Sequence, residues 1–285
     1  MEELAFTDGD IEVVVLPEAG ARMHRILAFG HELLRTPDDL DAHVRDPFFW
    51  GSPVMAPWCN RLAADAIEVG GRTVNLRSNF PDGSAIHGQV YDREWEADGA
   101  GGLRVRAGGD GWPWEYVVGQ RVEVSGNEIR LELTLTNAAD EPMPAGLGIH
   151  PWFRRPLGLA VRADGVFPDN AAMSARPEPV AGPFNLREIG PMTAGLDATW
   201  THLADPPVLL AWPALGIAAT LRVDPPGGCI VAASPPDLDA IAVEPQTHAP
   251  QGLRRLIARE PFALALLPAG ASLTHSIALV IERVS

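Results

Sequence analysis

The sequence predicts a mainly β fold made of antiparallel strands, arranged as a sandwich or an elaborated barrel. Apolar and polar side chains alternate over several segments, most clearly at 129–136 and 273–281, as they do in strands with one buried face. Glycine and proline number 28 and 27 and interrupt almost every segment, so a long amphipathic helix has no stretch in which to form. Strands do not alternate with long helical segments, which disfavours a parallel sheet with crossover helices.

The strands can be placed by their alternation and by the turns between them. Ser125, Gly126 and Asn127 form a turn between two alternating segments, which predicts a β-hairpin there. The glycine-rich stretch 98–111 is predicted to be a mobile loop between strands. The predicted strands are 11–16, 116–124, 129–136, 218–223, 241–243 and 273–281.

One short helix and one short turn are predicted. Thr36 is a suitable N-cap and Pro37 a suitable first residue for a helix over 37–45, and 251–257 could form a short turn. The chain has 285 residues, 46% of them hydrophobic, which is enough to bury a substantial core. Because no repeat and no change of composition marks a boundary, we expect one domain over residues 1–285.

The charged residues exclude several classes of protein. The net charge of −15 argues against nucleic acid or an anionic membrane as a partner. All 22 basic residues are arginines, and Schiff-base aldolases, pyridoxal-phosphate enzymes and P-loop proteins each require a lysine. A dinucleotide-binding G-x-G-x-x-G after a strand and a G-x-S-x-G nucleophile elbow are both missing from the sequence.

The cysteines and the hydropathy pattern bear on metal binding and location. Cys59 and Cys229 stand far apart and neither belongs to a C-x-x-C pair, so a thiolate zinc site is not expected and both are predicted to be reduced, packed thiols. The first residues lack the basic and apolar regions of a signal peptide, and no apolar run reaches the length of a membrane span. We therefore expect a cytoplasmic protein that is a monomer or a homodimer.

Five short segments place reactive polar side chains beside turns or aromatic residues, as binding sites on rigid sheets do. Pro151 biases His150 towards an extended backbone, and the following Trp152 could form an apolar wall for the face of a sugar. Glu244 ends an apolar strand just before Pro245. Taken alone, each residue favours a structural interpretation: His150 as a structural histidine at a strand end, and Glu244 as a solvated strand end. The five segments are 57–61, 85–88, 148–153, 195–197 and 242–245.

Taken together, these segments resemble the aldose 1-epimerase (galactose mutarotase) family. The resemblance rests on the order and spacing of five motifs and runs from about Pro57 to the last strand. It also covers Asn137, the Glu141-Pro142 step and the segment 267–270. The motifs are Asn60-Arg61, His87-Gly88, Gly148-Ile149-His150-Pro151-Trp152-Phe153, Gly195-Leu196-Asp197 and Val243-Glu244-Pro245.

The resemblance implies a fold, an activity and a set of site residues. The fold would be the large antiparallel supersandwich of that family, and the activity the exchange of α and β anomers of an aldose without cofactor or metal. His150 would be the general acid that protonates the ring oxygen, and Glu244 the base that removes the proton from the C1 hydroxyl. The sugar would be held by Asn60, Arg61, His87, Trp152 and Asp197, although tryptophan stands at 152 where the family commonly has tyrosine.

Three other functions stay open at this stage. A hexose-6-phosphate 1-epimerase on the same scaffold would use extra arginines, which Arg77, Arg93, Arg154 and Arg155 could supply. A non-catalytic carbohydrate-binding protein would need aromatic and polar groups but no acid/base pair. A cupin-like metal enzyme would need clustered histidine ligands, and His87 has no such partner nearby in the sequence.

The other histidines and the tryptophans receive structural interpretations. His248, four residues after Glu244, could line the same cleft, whereas His275 lies on the apolar face of its strand and is expected in the core or at its rim. Surface or loop positions are predicted for His24, His31, His43 and His202, and core positions for Trp58, Trp95, Trp112 and Trp114.

Overall fold

The structure is a computed structural model that describes residues 1–170 and 176–284. It is mainly β with large antiparallel sheets, which confirms the predicted fold class. In chain order the strands are β1 Leu4–Asp8, β2 Ile11–Leu16, β3 Arg22–Ala28, β4 His31–Glu32, β5 Val54–Met55, β6 Arg61–Ala63, β7 Ala66–Val69, β8 Arg72–Asn75, β9 Ser84–Ile86, β10 Glu96–Ala97, β11 Leu103–Gly109, β12 Trp112–Ser125, β13 Glu128–Asn137, β14 Met143–Ala145, β15 Gly148–Ile149, β16 Trp152–Arg154, β17 Gly158–Phe167, β18 Glu178–Pro179, β19 Asp197–Trp212, β20 Ile217–Asp224, β21 Cys229–Ala233, β22 Ala240–Gln246, β23 Ala265–Leu267 and β24 Ser272–Arg283.

Helical structure is short among the described residues. The α-helices are α1 Ala42–Arg45 and α2 Gly252–Ala258, and the 3-10 turns are Pro17–Ala19, Gly182–Phe184 and Pro213–Leu215. The segment 251–257, predicted as a short turn, contains most of helix α2. Within the part of the chain that the structure describes, no helix is long and apolar enough to span a bilayer.

One large sheet of 14 strands dominates the molecule. Its main path runs β10-β11-β12-β13-β24-β20-β19-β21-β22-β15-β5, with β16 on β22 and with β17 and β18 attached to β19. A separate four-stranded sheet, β1-β2-β3-β4, contacts β12 and contributes to the same apolar core. Three two-stranded pairs complete the structure: β6 with β9, β7 with β8, and β14 with β23.

Most predicted strands are confirmed. Alternation of apolar and polar side chains depends only on neighbouring residues, and it gives a strand the apolar face that packs into the core. The hairpin of β12 and β13 turns at the predicted position, with Ser125 opposite Glu128. Its partner β24 continues the sheet with the predicted alternation. The four tryptophans predicted for the core are buried, and both cysteines are buried and free.

Two elements were predicted wrongly. The stretch 98–111 contains strand β11, because Leu103, Val105 and Ala107 alternate with arginines and pack one apolar face inward against β12. In the segment 37–45 only α1 is helical. The Thr36 hydroxyl donates to the His24 carbonyl oxygen, a tertiary contact, and does not cap a helix.

The placement of two histidines was also predicted wrongly. His24 and His43 are buried, not at the surface, and their rings hydrogen-bond each other. Nη1 of the fully buried Arg22 lies 3.1 Å from Nδ1 of His43 and continues the chain of contacts. His31 and His202 are exposed and His275 is buried, as predicted.

Candidate active site

Strand β22 carries the candidate base on a face made of small residues. Ile241 and Val243 point into the core, while Ala242 and Glu244 lie on the opposite face. Register places Val231 of β21 beside Glu244, and Thr199 of β19 beside Val231. The sheet therefore presents one continuous face on which side chains from three strands meet.

His150 reaches this face from the crossing between β15 and β16. Its backbone N–H donates to the Pro53 carbonyl oxygen at 3.1 Å, and Pro151 follows it. The Nε2 atom of His150 lies 3.2 Å from Oε1 of Glu244, although 94 residues separate the two in the chain. Trp152, two residues on, packs its ring against the imidazole with a centroid distance of 4.8 Å.

Burial dominates the electrostatics of this pair. His150 is 6% exposed and Glu244 is 2% exposed. Burial lowers the pKa of His150 to about 3 and raises the pKa of Glu244 well above its ordinary value, with the nearby Asp197 carboxylate adding to the rise. Because both shifts penalise charge, the pair favours sharing one proton as a neutral acid and a neutral imidazole.

The second oxygen of Glu244 is held by its neighbour on the same face. Nε2 of Gln246 donates to Oε2 of Glu244 at 2.7 Å. This leaves Oε1, the oxygen beside His150, as the one turned towards the imidazole. The carboxylate is thus fixed in orientation by β22 itself.

His87 and Asn60 form an interlocked pair of turns. Both have positive φ angles, and the backbone N–H of Asn60 donates to Nδ1 of His87 at 3.2 Å while the N–H of His87 donates to the Asn60 carbonyl. Because Nδ1 is an acceptor, the neutral imidazole of His87 carries its proton on Nε2. Gly88 is required here, since a Cβ at that position would lie 1.9 Å from the carbonyl oxygen of Ala56.

Arg61 begins β6 and contacts carboxylates from two different parts of the chain. Its Nε donates to Asp82 at 2.7 Å, and its Nη1 lies 3.6 Å from Oδ2 of Asp197. Asp197 begins β19 and accepts a hydrogen bond from the amide of Asn170, which is held in turn by the Thr199 hydroxyl. The carboxylates of Asp82 and Asp197 therefore hold the orientation of the Arg61 guanidinium.

A cavity opens beside Arg61 and Asp197. It has a volume of about 410 Å³ and is lined by Arg61, Pro168, Asp169, Phe184, Gly195, Leu196 and Asp197. That volume is in the range of small-molecule sites. A larger cavity of about 640 Å³ lies at β13, β20 and β24, but its walls carry surface ion pairs such as Arg222 with Asp205 and no histidine. The chemistry favours the smaller one.

The structure brings together all seven residues that the sequence pointed to: Asn60, Arg61, His87, His150, Trp152, Asp197 and Glu244. His248 does not line the cleft, because it is fully buried against the backbone of Cys59. Arg93, Arg154 and Arg155 donate to the carbonyl oxygens of Gln89, Leu34 and Ala240.

Sequence reasoning missed four residues that shape the site. Gln246 had a usable signal, since it stands two residues after Glu244 and so shares its face of a strand. Asp82 and Asn170 lie in connections with no such pattern and are recognised only by their contacts with Arg61 and Asp197. The ring of Phe48 stands 5.9 Å from that of His87, and its carbonyl accepts from Trp152.

The side chains His87, His150 and Glu244 also form a donor set of the kind that binds metal ions. Their nearest ligand atoms lie within 4.8 Å of one another. Two atoms bound to one zinc ion at about 2.1 Å can be no more than about 4.2 Å apart, so a spread up to 4.8 Å would have to contract. The set as spaced suits hydrogen bonding to a substrate placed between its members.

Comparison with known proteins identifies the family. The aldose 1-epimerase family model matches residues 2–279. The chain belongs to the aldose 1-epimerase family. No curated protein matches it.

Solved structures share the fold at low sequence identity. A protein from Escherichia coli K12 described as a putative aldose 1-epimerase superposes with a TM-score of 0.84 at 19% identity, covering 99% of each chain. A galactose mutarotase-like protein from Clostridium acetobutylicum gives 0.85 at 16% identity, covering 98% of this chain and 94% of that one. A galactose 1-epimerase from Lactobacillus acidophilus gives 0.79 at 18% identity, covering 99% and 95%. At such identities the likeness establishes the fold alone.

Proposed function

We propose that this aldose 1-epimerase family member interconverts the α and β anomers of a free aldose by acid/base ring opening at His150 and Glu244. The contact of 3.2 Å between Nε2 of His150 and Oε1 of Glu244 carries the proposal. Anomer exchange needs one proton removed from the C1 hydroxyl and one given to the ring oxygen. Both oxygens are bonded to the same carbon, so an acid and a base held side by side match them.

The protonation of the pair fits this task. A carboxylate beside an imidazolium and a carboxylic acid beside a neutral imidazole contain the same single proton and differ only in its position. For ring opening the shared proton first shifts from Glu244 to His150; Glu244 then takes the O1 proton while His150 delivers its own to O5. Ring closure on the other face of C1 uses the same two groups with their roles exchanged, and returns the pair to its starting state.

The surrounding residues hold the sugar and the charge that develops on its oxygens. The Arg61 guanidinium and the Nε2–H of His87 are donors, and Asp197 accepts from sugar hydroxyls. Trp152 forms an apolar wall that fits the C–H face of a sugar ring, because it stands next to His150. These roles need neither a cofactor nor a metal ion.

The charge around the cleft favours a neutral sugar over a sugar phosphate. Asp82 and Asp197 flank Arg61, and Asp169 lines the adjoining cavity, so the Arg61 guanidinium is already faced by carboxylates. The arginines considered for phosphate binding, such as Arg154 and Arg155, hold backbone carbonyls. A dianionic 6-phosphate would be repelled here.

The test is the rate of anomer equilibration, followed by polarimetry with freshly dissolved α anomers of several aldoses and, by NMR, of their 6-phosphates. We expect acceleration of at least one free aldose, and the rate should survive dialysis against a chelator. Preference for a 6-phosphate would favour the phosphosugar epimerase. Activity that is lost on chelation and restored by zinc would favour the metal enzyme. Sugar binding without any acceleration would favour a carbohydrate-binding protein.

A further inference from the structure

His248 lies behind the site, on the segment that follows β22. The segment 247–252 links the strand that carries Glu244 to α2. The imidazole is fully buried and does not contact the cleft. It nevertheless accepts a hydrogen bond from the backbone of Cys59, which directly precedes the proposed sugar-binding residues Asn60 and Arg61.

Both nitrogens of the His248 ring are engaged. The backbone N–H of Cys59 donates to Nε2 at 2.9 Å, and Nδ1 lies 2.7 Å from the carbonyl oxygen of Ala249. A carbonyl can only accept, so Nδ1 carries the proton and Nε2 is the acceptor. Burial lowers the pKa of His248 to about 4, which keeps this neutral tautomer at ordinary pH.

Two glycines hold the ring in place. A Cβ at Gly146 would lie 2.3 Å from Cδ2 of His248, and a Cβ at Gly252 would lie 2.5 Å from its Nδ1. Backbone therefore presses on the imidazole from two sides, at the start of α2 and ahead of β15. This close packing holds the ring between the two backbones, with Nε2 facing the N–H of Cys59.

The same segment clamps the strand that bears Arg61 at three points. Besides the Cys59 bond, the N–H of Gln251 donates to the Arg61 carbonyl at 2.9 Å, and the N–H of Ala63 donates to the side-chain carbonyl of Gln251 at 3.2 Å. Asn60 and Arg61 directly follow Cys59, and the Asn60 side chain accepts from the Arg61 N–H at 2.7 Å. The hydrogen bond to His248 is thus a direct link between the backbone of residue 59 and the segment that follows the Glu244 strand.

We propose that His248 is a positioning residue, which sets Arg61 and Asn60 relative to Glu244 by accepting the backbone N–H of Cys59. This inference rests on the proposed function, because Arg61 and Asn60 are there assigned to hold the sugar. His248 itself touches no substrate. Its effect should therefore fall mainly on sugar binding and less on the proton transfers.

Two substitutions separate the two bonds of the imidazole. Glutamine reaches far enough to place its side-chain carbonyl where Nε2 accepts from Cys59, whereas the shorter asparagine can keep only a donor towards Ala249. We expect His248→Asn to raise KM about tenfold, as for a buried donor left without its acceptor, while kcat changes about twofold. His248→Gln should restore KM to within about threefold of the parent value.

The outcomes that overturn the inference are distinct from failure of the proposed function. If both variants lower Tm equally and leave KM at the parent value, His248 serves stability alone. A direct test on the unaltered protein is hydrogen exchange at the Cys59 amide, which must be strongly protected; rapid exchange would remove the inference even if neither variant folds. If the parent protein has no epimerase activity, the proposed function is wrong. The role of His248 can still be tested then, by the protection of the Cys59 amide and by the sugar affinity of the variants measured by calorimetry.

Discussion

Two buried pairs of histidines have nearly the same ring geometry and very different surroundings. The rings of His24 and His43 meet edge-to-face with centroids 5.0 Å apart at 78°, and those of His87 and His150 do so at 4.9 Å and 89°. Burial lowers the pKa in both pairs, to about 4 for His24 and about 3 for both His43 and His150. Burying two imidazoles together is therefore not what distinguishes the site.

The pair of His24 and His43 ends on a cation, the guanidinium of Arg22. Nη1 of Arg22 donates to Nδ1 of His43, whose Nε2–H then donates to Nδ1 of His24 at 2.8 Å. Arg22 also donates to three carbonyl oxygens, among them that of Tyr91 at 3.0 Å. Burial first, and then the Arg22 guanidinium, lower the pKa of His43, and the proton of His43 has a fixed partner in His24.

The pair of His87 and His150 faces a carboxylate instead of a cation. His150 meets Oε1 of Glu244, and its buried Nδ1 has no hydrogen-bond partner among the described residues. A proton can therefore move between the imidazole and the carboxylate. The comparison teaches that a facing carboxylate, not burial, makes a histidine fit for acid/base chemistry.

The largest expected effect is the loss of kcat on replacing Glu244, the carboxylate that faces the His87–His150 pair. Glu244→Gln keeps the size and the contact with Gln246 but removes the base, so kcat should fall by about 10²–10⁴-fold with sugar affinity much less changed. The measurement is kcat together with sugar binding and Tm on one sample. Glu32→Gln is the matched control, because burial also raises the pKa of Glu32, but its carboxylate pairs with Arg25 and accepts from the Ile26 N–H instead of facing a histidine. A kcat for Glu244→Gln within a few-fold of the parent would show that the carboxylate is structural.

The same substitution in each pair should give opposite results. His150→Asn should lower kcat by about 10²–10⁴-fold, because the proton donor is lost. His43→Asn should leave kcat nearly unchanged and lower the free energy of unfolding by about 1–3 kcal/mol, because the Arg22–His43–His24 chain is broken. Urea unfolding and turnover, measured on both variants, check this. A loss of turnover in His43→Asn would mean that the two clusters are coupled.

The smallest expected effect is the breadth of the pH profile. The site works while His150 and Glu244 together hold one proton. A second proton is added only near the lowered pKa of His150, about 3, and the last is lost at the raised pKa of Glu244. The pH range over which kcat/KM is constant should thus be wider than the range between the ordinary pKa values of glutamate and histidine. His43→Asn should not alter that range. A narrow bell between pH 4.5 and 6.5 would contradict the shifts.

Much of the sheet and the set of site residues could be predicted from the sequence. Alternation is local, so β12, β13 and β24 were placed from their own residues. The order of the motifs pointed to seven residues that the structure places around one cleft. The assignment of the acid and the base to His150 and Glu244 stays a prediction until the variants are measured.

Local pattern determined which residues can form strands and which face of each strand is apolar, because side chains alternate every two residues whatever the fold. Tertiary structure alone decided which histidines meet a carboxylate and which meet an arginine. His43 joins Arg22 across 21 residues, and Cys59 joins His248 across 189. Such contacts leave no periodic trace in the chain, since they depend on register and on backbone packing at glycines such as Gly146 and Gly252.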